Sequence, residues 1–218
     1  MENAFFRLKF DKKMHICSLL CKESGREMAV EGQPLNRLIA YEDRPTVDQA
    51  WNIQPYYQEH SWPLEDVSEV RVLEEGPVRA VVEVTRRFLH STLRQQITLY
   101  ADVRRIDVHC FADWQEHDTL VKVDFPTAVN SAFATFDIQF GNLQRTTHEN
   151  TTWDFAQFEV CGHKWADLSQ EDYGLAVLND CKYGWDVKDG HVRLTLLKSS
   201  CYPNPAADKC AHEFTYSI

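Results

Sequence analysis

The sequence predicts an all-β fold of roughly a dozen strands, because hydrophobic residues recur at every second position along most of the chain. Phe6, Leu8 and Phe10 alternate with charged residues, and the same period returns in residues 78–85, 93–99 and 106–113. Such alternation places one face of a strand on a core and the other towards solvent or a second sheet. No window of about ten or more residues shows the 3.6-residue period of an amphipathic helix.

Further strands follow in chain order, separated by short polar stretches. Asp189-Gly190 predicts a hairpin turn between two of them, because glycine tolerates the positive φ that a two-residue turn requires. Residues 213–218 form the last predicted strand. The other predicted strands are residues 16–20, 36–41, 69–74, 119–125, 133–140, 174–178, 182–188 and 191–197.

The chain shows no clear linker, internal repeat or low-complexity tract, so we expect residues 1–218 to form one domain. The longest connection, residues 42–68, is polar, interrupted by prolines and rich in aromatic residues. Long ordered loops in compact domains are usually functional or packed over an edge. This segment therefore predicts a packed or functional loop.

Charge and hydropathy exclude several classes of partner. The formal net charge is −10, and a surface of that sign repels phosphate backbones, so we expect no nucleic-acid partner. No run approaches the roughly 20 apolar residues that cross a bilayer, so we expect no membrane partner. The first residues lack the basic start and apolar run of a secretory signal, so we expect either a cytoplasmic protein or a piece excised from a longer one.

The seven cysteines lie at irregular spacings and include no Cys-x-x-Cys pair. Zinc ribbons and disulfide frameworks need regular close pairs, so we expect neither. Free cysteine usually packs as a small hydrophobic residue. We therefore predict reduced thiols that are buried or half-buried.

Several motifs carry a resemblance to a known family. The patterned run Phe136–Asp154 continues through Phe158–Ser169 and Tyr173–Gly184. In the same order, Asp48–Ile53 resembles an Asp-Ala-Trp-Asp-Ile motif, and Asp208–Tyr216 resembles Asp-x-Gly-x-His-Glu-Phe-Thr-Tyr. Together these segments resemble the carboxy-terminal region of glycoside hydrolase family 38 α-mannosidases of the cytosolic and bacterial type, over essentially the whole chain.

Two positions depart from the family's pattern. Asn52 stands where the motif has an acid, which removes a carboxylate from that position. Cys210 stands where the motif has a glycine, so either the local turn differs or a Cβ atom is tolerated there.

The resemblance implies a large antiparallel β-sandwich, the supersandwich shared with galactose mutarotase. It also implies a parent enzyme that hydrolyses terminal α-linked mannose from oligosaccharides with retention of configuration, which requires a nucleophile and an acid/base around one sugar. In the family, the zinc ligands and the attacking aspartate belong to an amino-terminal α/β barrel. We therefore expect no catalytic residue and no metal ligand on this chain, and an isolated chain without activity.

The implied partners are the catalytic barrel of the same full-length chain and a mannose-containing oligosaccharide. Zinc is the implied cofactor of the full-length parent, with its ligands outside this chain. A homo-oligomeric parent is left open.

Aromatic rings and planar hydrogen-bonding side chains suit a sugar surface, and seven such residues are candidates to face substrate. The alternative for each is structural, because buried polar groups need partners of their own. For His212 the two interpretations are nearly balanced, since in the resemblance its segment approaches the sugar site and its ring can donate to a hydroxyl. The candidates are His212, Asp48, Trp51, Arg145, His148, Asn150 and Trp153.

Two other functions remain open from the sequence. A free-standing aldose epimerase on a similar sandwich would need a general acid and base, but the spacing of histidines and acids singles out no pair. A carbohydrate-binding module without catalysis anywhere on its parent chain is the second alternative.

Overall fold

The computed structural model describes residues 1–218, and β-strands make up most of the chain. The helical elements are a 3₁₀-helix at Pro55–Glu59 and the short α-helix α1 at Thr152–Phe155. The strands are β1 (Phe6–Phe10), β2 (Ile16–Cys21), β3 (Arg26–Glu27), β4 (Arg37–Glu42), β5 (Ser61–Pro63), β6 (Asp66–Glu75), β7 (Arg79–Phe88), β8 (Ser91–Tyr100), β9 (Ile106–Asp113), β10 (Thr119–Pro126), β11 (Phe133–Ile138), β12 (Gly141–Thr146), β13 (Val160–Cys161), β14 (Trp165–Gln170), β15 (Tyr173–Asn179), β16 (Gly184–Lys188), β17 (His191–Ser199) and β18 (Ala211–Ser217).

The strands form three antiparallel sheets. The smallest has the order β1-β2-β3, the second has six strands in the order β13-β16-β17-β10-β4-β5, and the third has nine in the order β12-β11-β14-β15-β18-β9-β8-β7-β6. Side chains from all three sheets share one hydrophobic core of 33 buried residues. The predicted antiparallel β-sandwich is confirmed.

Strand β8 shows how the period of two builds the core. Leu93, Ile97 and Leu99 are buried and alternate with more exposed residues. Each lies opposite a buried residue of β9, so the same face continues across the sheet. These partners are Ala112, Val108 and Ile106, respectively.

The structure contains eighteen strands, so the predicted number of roughly a dozen was too low. The strands missing from the prediction are β3, β5, β12, β13 and β14. Two of them, β3 and β13, have two residues each, which is too short for a periodic pattern. Strand β12 lies at the edge of its sheet and has no buried residue, so its sequence carries no apolar alternation.

The hairpin predicted at Asp189-Gly190 is confirmed. Lys188 pairs with His191, and the two residues between them have φ values of 52° and 79°. Glycine suits the second position because it has no Cβ atom to clash in this left-handed region. The turn fixes the register of β16 on β17.

The long connection covers the outer face of the six-stranded sheet. Its 3₁₀-helix places Tyr57 on Tyr41, with the two rings edge to face at 5.2 Å. Ile39 and Leu120 complete this small buried cluster. The interpretation of the segment as a packed loop is confirmed.

Under this loop lies a buried ionic cluster centred on Lys122, whose side chain is 0% exposed. Its ammonium contacts Glu159 and lies 3.9 Å from Asp186. Arg193 donates to Asp186 at 2.8 Å. The loop therefore seals charged residues, as well as apolar ones, on the outside of the sheet.

All seven cysteines are free, and the prediction that they are buried or half-buried is wrong for four of them. Cys110 is buried, and Cys21 and Cys201 are half-buried. The other four, Cys17, Cys161, Cys181 and Cys210, are exposed because they lie on outward strand faces or in connections.

None of the helices is long and apolar enough to span a bilayer.

Candidate functional site

The first group of candidate residues lies at the end of the sandwich where three connections meet. Gln49 joins them: its Oε1 accepts from the backbone N–H groups of Cys201 at 2.8 Å and Tyr202 at 3.1 Å. Its amide nitrogen donates to Asp118 and to the backbone oxygen of Asp43. One side chain thus fixes the loop that presents the neighbouring Asp48 and Trp51.

Asp48 and Trp51 lie on a tight turn of this loop. Asp48 has a φ of 52°, and its backbone oxygen accepts from Trp51 at 2.8 Å and Asn52 at 3.0 Å. The indole of Trp51 is on the surface, with 71% of the residue exposed. Asn52, which replaces the acid of the family motif, donates to the backbone oxygen of Val47 at 3.1 Å and so serves the loop itself.

His212 lies on β18 near the same end, where it pairs with Ala112. Its Nε2 atom is 2.8 Å from the backbone oxygen of Asp208 and 3.5 Å from the Cys210 sulfur. An N–H at Nε2 that donates to Asp208 leaves Nδ1 as an acceptor. The backbone of Cys210 does not have a positive φ, so a Cβ atom is accommodated there without strain.

The second group surrounds α1. Thr151 caps this helix, and Asp154 accepts from the hydroxyls of Thr151 at 2.7 Å and Thr146 at 2.9 Å. These hydrogen bonds hold the pKa of Asp154 below its usual range. The ammonium of Lys188 donates to the backbone oxygens of Thr146 at 3.1 Å and His148 at 3.2 Å. The helix and its approach are therefore firmly tied to β16.

The candidates of this second group differ in how far they take part in that network. His148 lies 3.6 Å from Asp154 and accepts from the backbone N–H of Asn150 at 3.5 Å, a long contact. Asn150 is exposed, and Trp153 is 82% exposed. The structural interpretation thus describes Asp154, which is half-buried and hydrogen-bonded, whereas Trp153 presents its ring on the surface.

Arg145 has unused hydrogen-bonding capacity. Its guanidinium lies 4.8 Å from the centre of the Phe136 ring, and its buried Nη1 atom has no hydrogen-bond partner. Burial lowers the pKa of this group. A planar cation held over an aromatic ring with a free donor is suited to a carboxylate or a hydroxyl.

The two groups lie at opposite ends of the six-stranded sheet. Strand β10 begins at Thr119, beside Ser199 and the first group, and ends at Pro126, beside His191 and the second group. Its eight residues span about 23 Å at the usual rise of a strand. The seven candidates therefore cannot surround one sugar ring, although the sequence alone suggested no division between them.

Sequence reasoning missed a cleft on the outer face of the nine-stranded sheet. Its volume is about 530 Å³, and residues of β6, β7, β8, β9 and β18 line it. Arg94, Phe111 and Glu213 lie side by side across three of these strands. One feature of the sequence could have indicated this cleft: the outward positions of the predicted strands hold arginine, glutamate, histidine and phenylalanine.

No group of three or more His, Cys, Asp and Glu side chains is arranged to hold a metal ion. Cysteine and histidine side chains meet in two separate pairs, Cys201 with His117 at 3.2 Å and Cys210 with His212 at 3.5 Å. The residues present therefore do not fit a zinc site.

Known proteins resemble this chain along its whole length. α-Mannosidase 2C1 from Homo sapiens is 38% identical over 220 residues, which cover 100% of this chain and 21% of that protein. α-Mannosidase G from Dictyostelium discoideum is 38% identical over 224 residues, covering 100% of this chain and 20% of the relative. The chain thus spans about a fifth of the length of these relatives.

The fold agrees with a solved structure. The crystal structure of an α-mannosidase from Enterococcus faecalis V583 superimposes with a TM-score of 0.82 at 16% identity, covering 100% of this chain and 28% of that one. At this identity, the likeness concerns the fold alone. The family model described as the glycosyl hydrolases family 38 C-terminal domain matches residues 1–206. The chain therefore belongs to this family of C-terminal domains of glycoside hydrolase family 38.

Proposed function

We propose that residues 1–218 act as one non-catalytic domain of a retaining α-mannosidase that removes terminal α-linked mannose from oligosaccharides. The observation that carries this proposal is the family match over residues 1–206, combined with α-mannosidase relatives about five times longer than the chain. The zinc ion and the attacking carboxylate belong, in this proposal, to an amino-terminal barrel of the same full-length protein. Zinc there supplies a Lewis acid at the sugar.

The domain packs on that barrel and completes one side of the cleft with the end that carries Asp48, Trp51 and His212. Three features support this choice of end. Gln49 fixes the loop, Trp51 offers an exposed ring face for a sugar, and Nδ1 of His212 is free to accept from a hydroxyl.

Arg145, His148, Asn150 and Trp153 then serve a different contact from the terminal mannose, because they lie at the far end of β10. We assign them to the surface that meets the rest of the parent chain or a more distant part of the oligosaccharide. The exposed ring of Trp153 and the free donor of Arg145 are suited to either.

We also place the parent in the cytoplasm, without a nucleic-acid or membrane partner. Seven free thiols suit a reducing compartment, since oxidising compartments favour disulfides. The net charge of −10 disfavours binding to phosphate backbones and anionic lipid.

The first experiment compares the isolated chain with its full-length parent on an aryl α-mannoside, with and without added zinc. We expect turnover by the parent and none by residues 1–218 under either condition. Zinc-dependent turnover by the purified chain would contradict the non-catalytic role.

The second experiment locates the end that meets mannose. Trp51→Ala and His212→Gln in the full-length parent are expected to raise KM about two- to tenfold, the usual loss for one aromatic or hydrogen-bonding contact. Trp153→Ala removes an equally exposed indole at the opposite end and is the matched control. A larger rise in KM for Trp153→Ala than for Trp51→Ala would reverse the assignment.

A further inference from the structure

The cleft on the outer face of the nine-stranded sheet lies over two adjacent rows of side chains. The strand register places Arg71, Glu83, Gln96, His109 and Thr215 in one row. The next row consists of Glu69, Thr85, Arg94, Phe111 and Glu213. All five residues of the second row line the cleft, and Arg71 lines it from the first. Neighbours in a row lie on the same face and within contact distance.

The floor beneath the lining residues is held by Glu83, which does not itself line the cleft and whose side chain is only 3% exposed. It accepts from Arg71 and, at 2.8 Å, from the amide of Gln96. Burial acts to raise the pKa of Glu83, but these two partners outweigh it, so the pKa is lowered and the carboxylate is ionised. A buried, fully paired carboxylate of this kind gives the floor a fixed geometry.

Arg94 projects above this floor with unused donors. Its guanidinium stacks on Phe111 at 4.5 Å, its side chain is 41% exposed, and its Nε atom lies 3.5 Å from Glu83. That buried Nε atom has no hydrogen-bond partner within the chain. The ring below and the carboxylate beside it therefore orient a planar donor group towards the cleft.

Acceptors stand along the opposite rim. Glu213 is 2.9 Å from Nε2 of His109, and its side chain is 63% exposed. Asp113 accepts from Gln115 at 2.6 Å, which leaves its second oxygen free. Ala211 contributes an apolar contact between these rims.

The charge of the lining decides the class of ligand. Glu69, Asp113 and Glu213 face Arg71 and Arg94, and the buried Glu83 adds a fourth carboxylate to two guanidinium groups. This excess of negative charge disfavours phosphate or carboxylate ligands. Hydroxyl groups both donate and accept, so a neutral polyol satisfies the free donors and the free acceptors together.

We propose that this cleft is a second carbohydrate site, which binds a neutral saccharide between the Arg94–Phe111 pair and the Glu213 rim. Its volume of about 530 Å³ lies in the range of ordinary small-ligand sites. His212 also borders the cleft, but its side chain alternates to the face of β18 opposite to Glu213, so the donors and acceptors proposed here do not include its ring. The inference does not depend on the proposed function.

The test uses the 218-residue chain labelled with ¹⁵N and titrated with methyl α-mannoside, a panel of neutral disaccharides and mannose 6-phosphate. We expect amide shifts on β8, β9 and β18 with at least one neutral saccharide, and weaker binding of the phosphate. Arg94→Lys, which keeps the charge but loses the planar fork, and Glu213→Gln are expected to weaken binding about tenfold each. Phe140→Ala, at an exposed residue outside the cleft, serves as the control and is expected to leave the affinity unchanged.

Three results would overturn the proposal. They are the absence of shifts on these strands with every neutral saccharide, tighter binding of mannose 6-phosphate than of methyl α-mannoside, and an affinity unchanged by both Arg94→Lys and Glu213→Gln. Because no hydrolysis is measured, each result is independent of whether the chain belongs to a mannose-cleaving parent.

Discussion

Replacing Lys122 by methionine tests how the protein tolerates charge on the outer face of the six-stranded sheet. The ammonium is wholly buried and contacts Glu159, whose side chain is only 11% exposed. Breaking a buried ion pair by removing one partner costs about 3–5 kcal/mol, because an uncompensated charge stays behind.

The structure favours the lower end of that range. Asp186 keeps its bond from Arg193 at 2.8 Å, so only Glu159 loses its charged partner. Glu159 also retains the hydroxyl of Thr195 at 2.7 Å. We therefore expect a loss of about 3 kcal/mol, which for a chain of this size lowers Tm by about 10 °C.

The pH dependence gives a sharper test. Burial raises the pKa of Glu159 even beside the Lys122 ammonium, and removing that ammonium raises it further. A folded pKa above the unfolded value means that this group stabilises the fold at low pH, and that the contribution is lost as pH rises. As pH rises from about 5 to about 7, the free energy of unfolding of Lys122→Met should therefore fall relative to that of the native chain. The fall is at most about 1.4 kcal/mol per pH unit.

Urea unfolding followed by tryptophan fluorescence at both pH values measures these quantities. The double variant Lys122→Met/Glu159→Gln removes both charges and is expected to recover at least half of the loss. A single variant as stable as the native chain, with no added pH dependence, would refute the argument that Glu159 depends on this ammonium.

Two further substitutions test the turn and the core. Gly190→Val should lower the free energy of unfolding, measured in urea, by about 1–3 kcal/mol, because φ is 79° and a Cβ atom would lie 2.8 Å from a backbone oxygen. The control is Gly25→Val, since Gly25 has a similar φ but no close neighbour. An equal loss in both variants would rule out the contact with the backbone oxygen as the cause. Tyr216→Phe should lower the free energy of unfolding by about 1–3 kcal/mol, because the buried amide of Gln95 donates to the Tyr216 hydroxyl at 2.7 Å and would lose that acceptor. Tyr202 is exposed, so Tyr202→Phe should leave the stability unchanged. Equal effects of the two substitutions would refute this reasoning.

The all-β class was predictable because alternation is a local property of each strand. Strands β8 and β9 keep a strict period of two, and the Asp189-Gly190 turn has a residue type that its φ requires. Strand β14 was not predicted, since its last two residues are exposed and polar, and its place is fixed by pairing with β11 and β15. Pairing between distant segments leaves no mark on the spacing within either one.

The candidate site was less predictable for a related reason. Asp48 and His212 lie far apart in sequence, and only the meeting of several connections, fixed by Gln49, brings their segments to one end. Conversely, Trp153 is close in sequence to other polar and aromatic candidates, yet they share the opposite end. Side-chain composition indicated that sugar-binding types were present, but only the strand register shows which of them share a surface.

The two large sheets carry similar polar clusters on their outer faces, and the difference between the clusters is their cover. On the six-stranded sheet, Lys122 lies 5.1 Å from the ring of Tyr57 and is wholly buried, because the long loop crosses it. On the nine-stranded sheet, Arg94 stacks on Phe111 in the same manner, but its side chain is 41% exposed. The chain shields the Lys122 cluster with its own aromatic loop, whereas it leaves the Arg94 cluster open. The Arg94 cluster is therefore the one that a bound saccharide would cover, as proposed above.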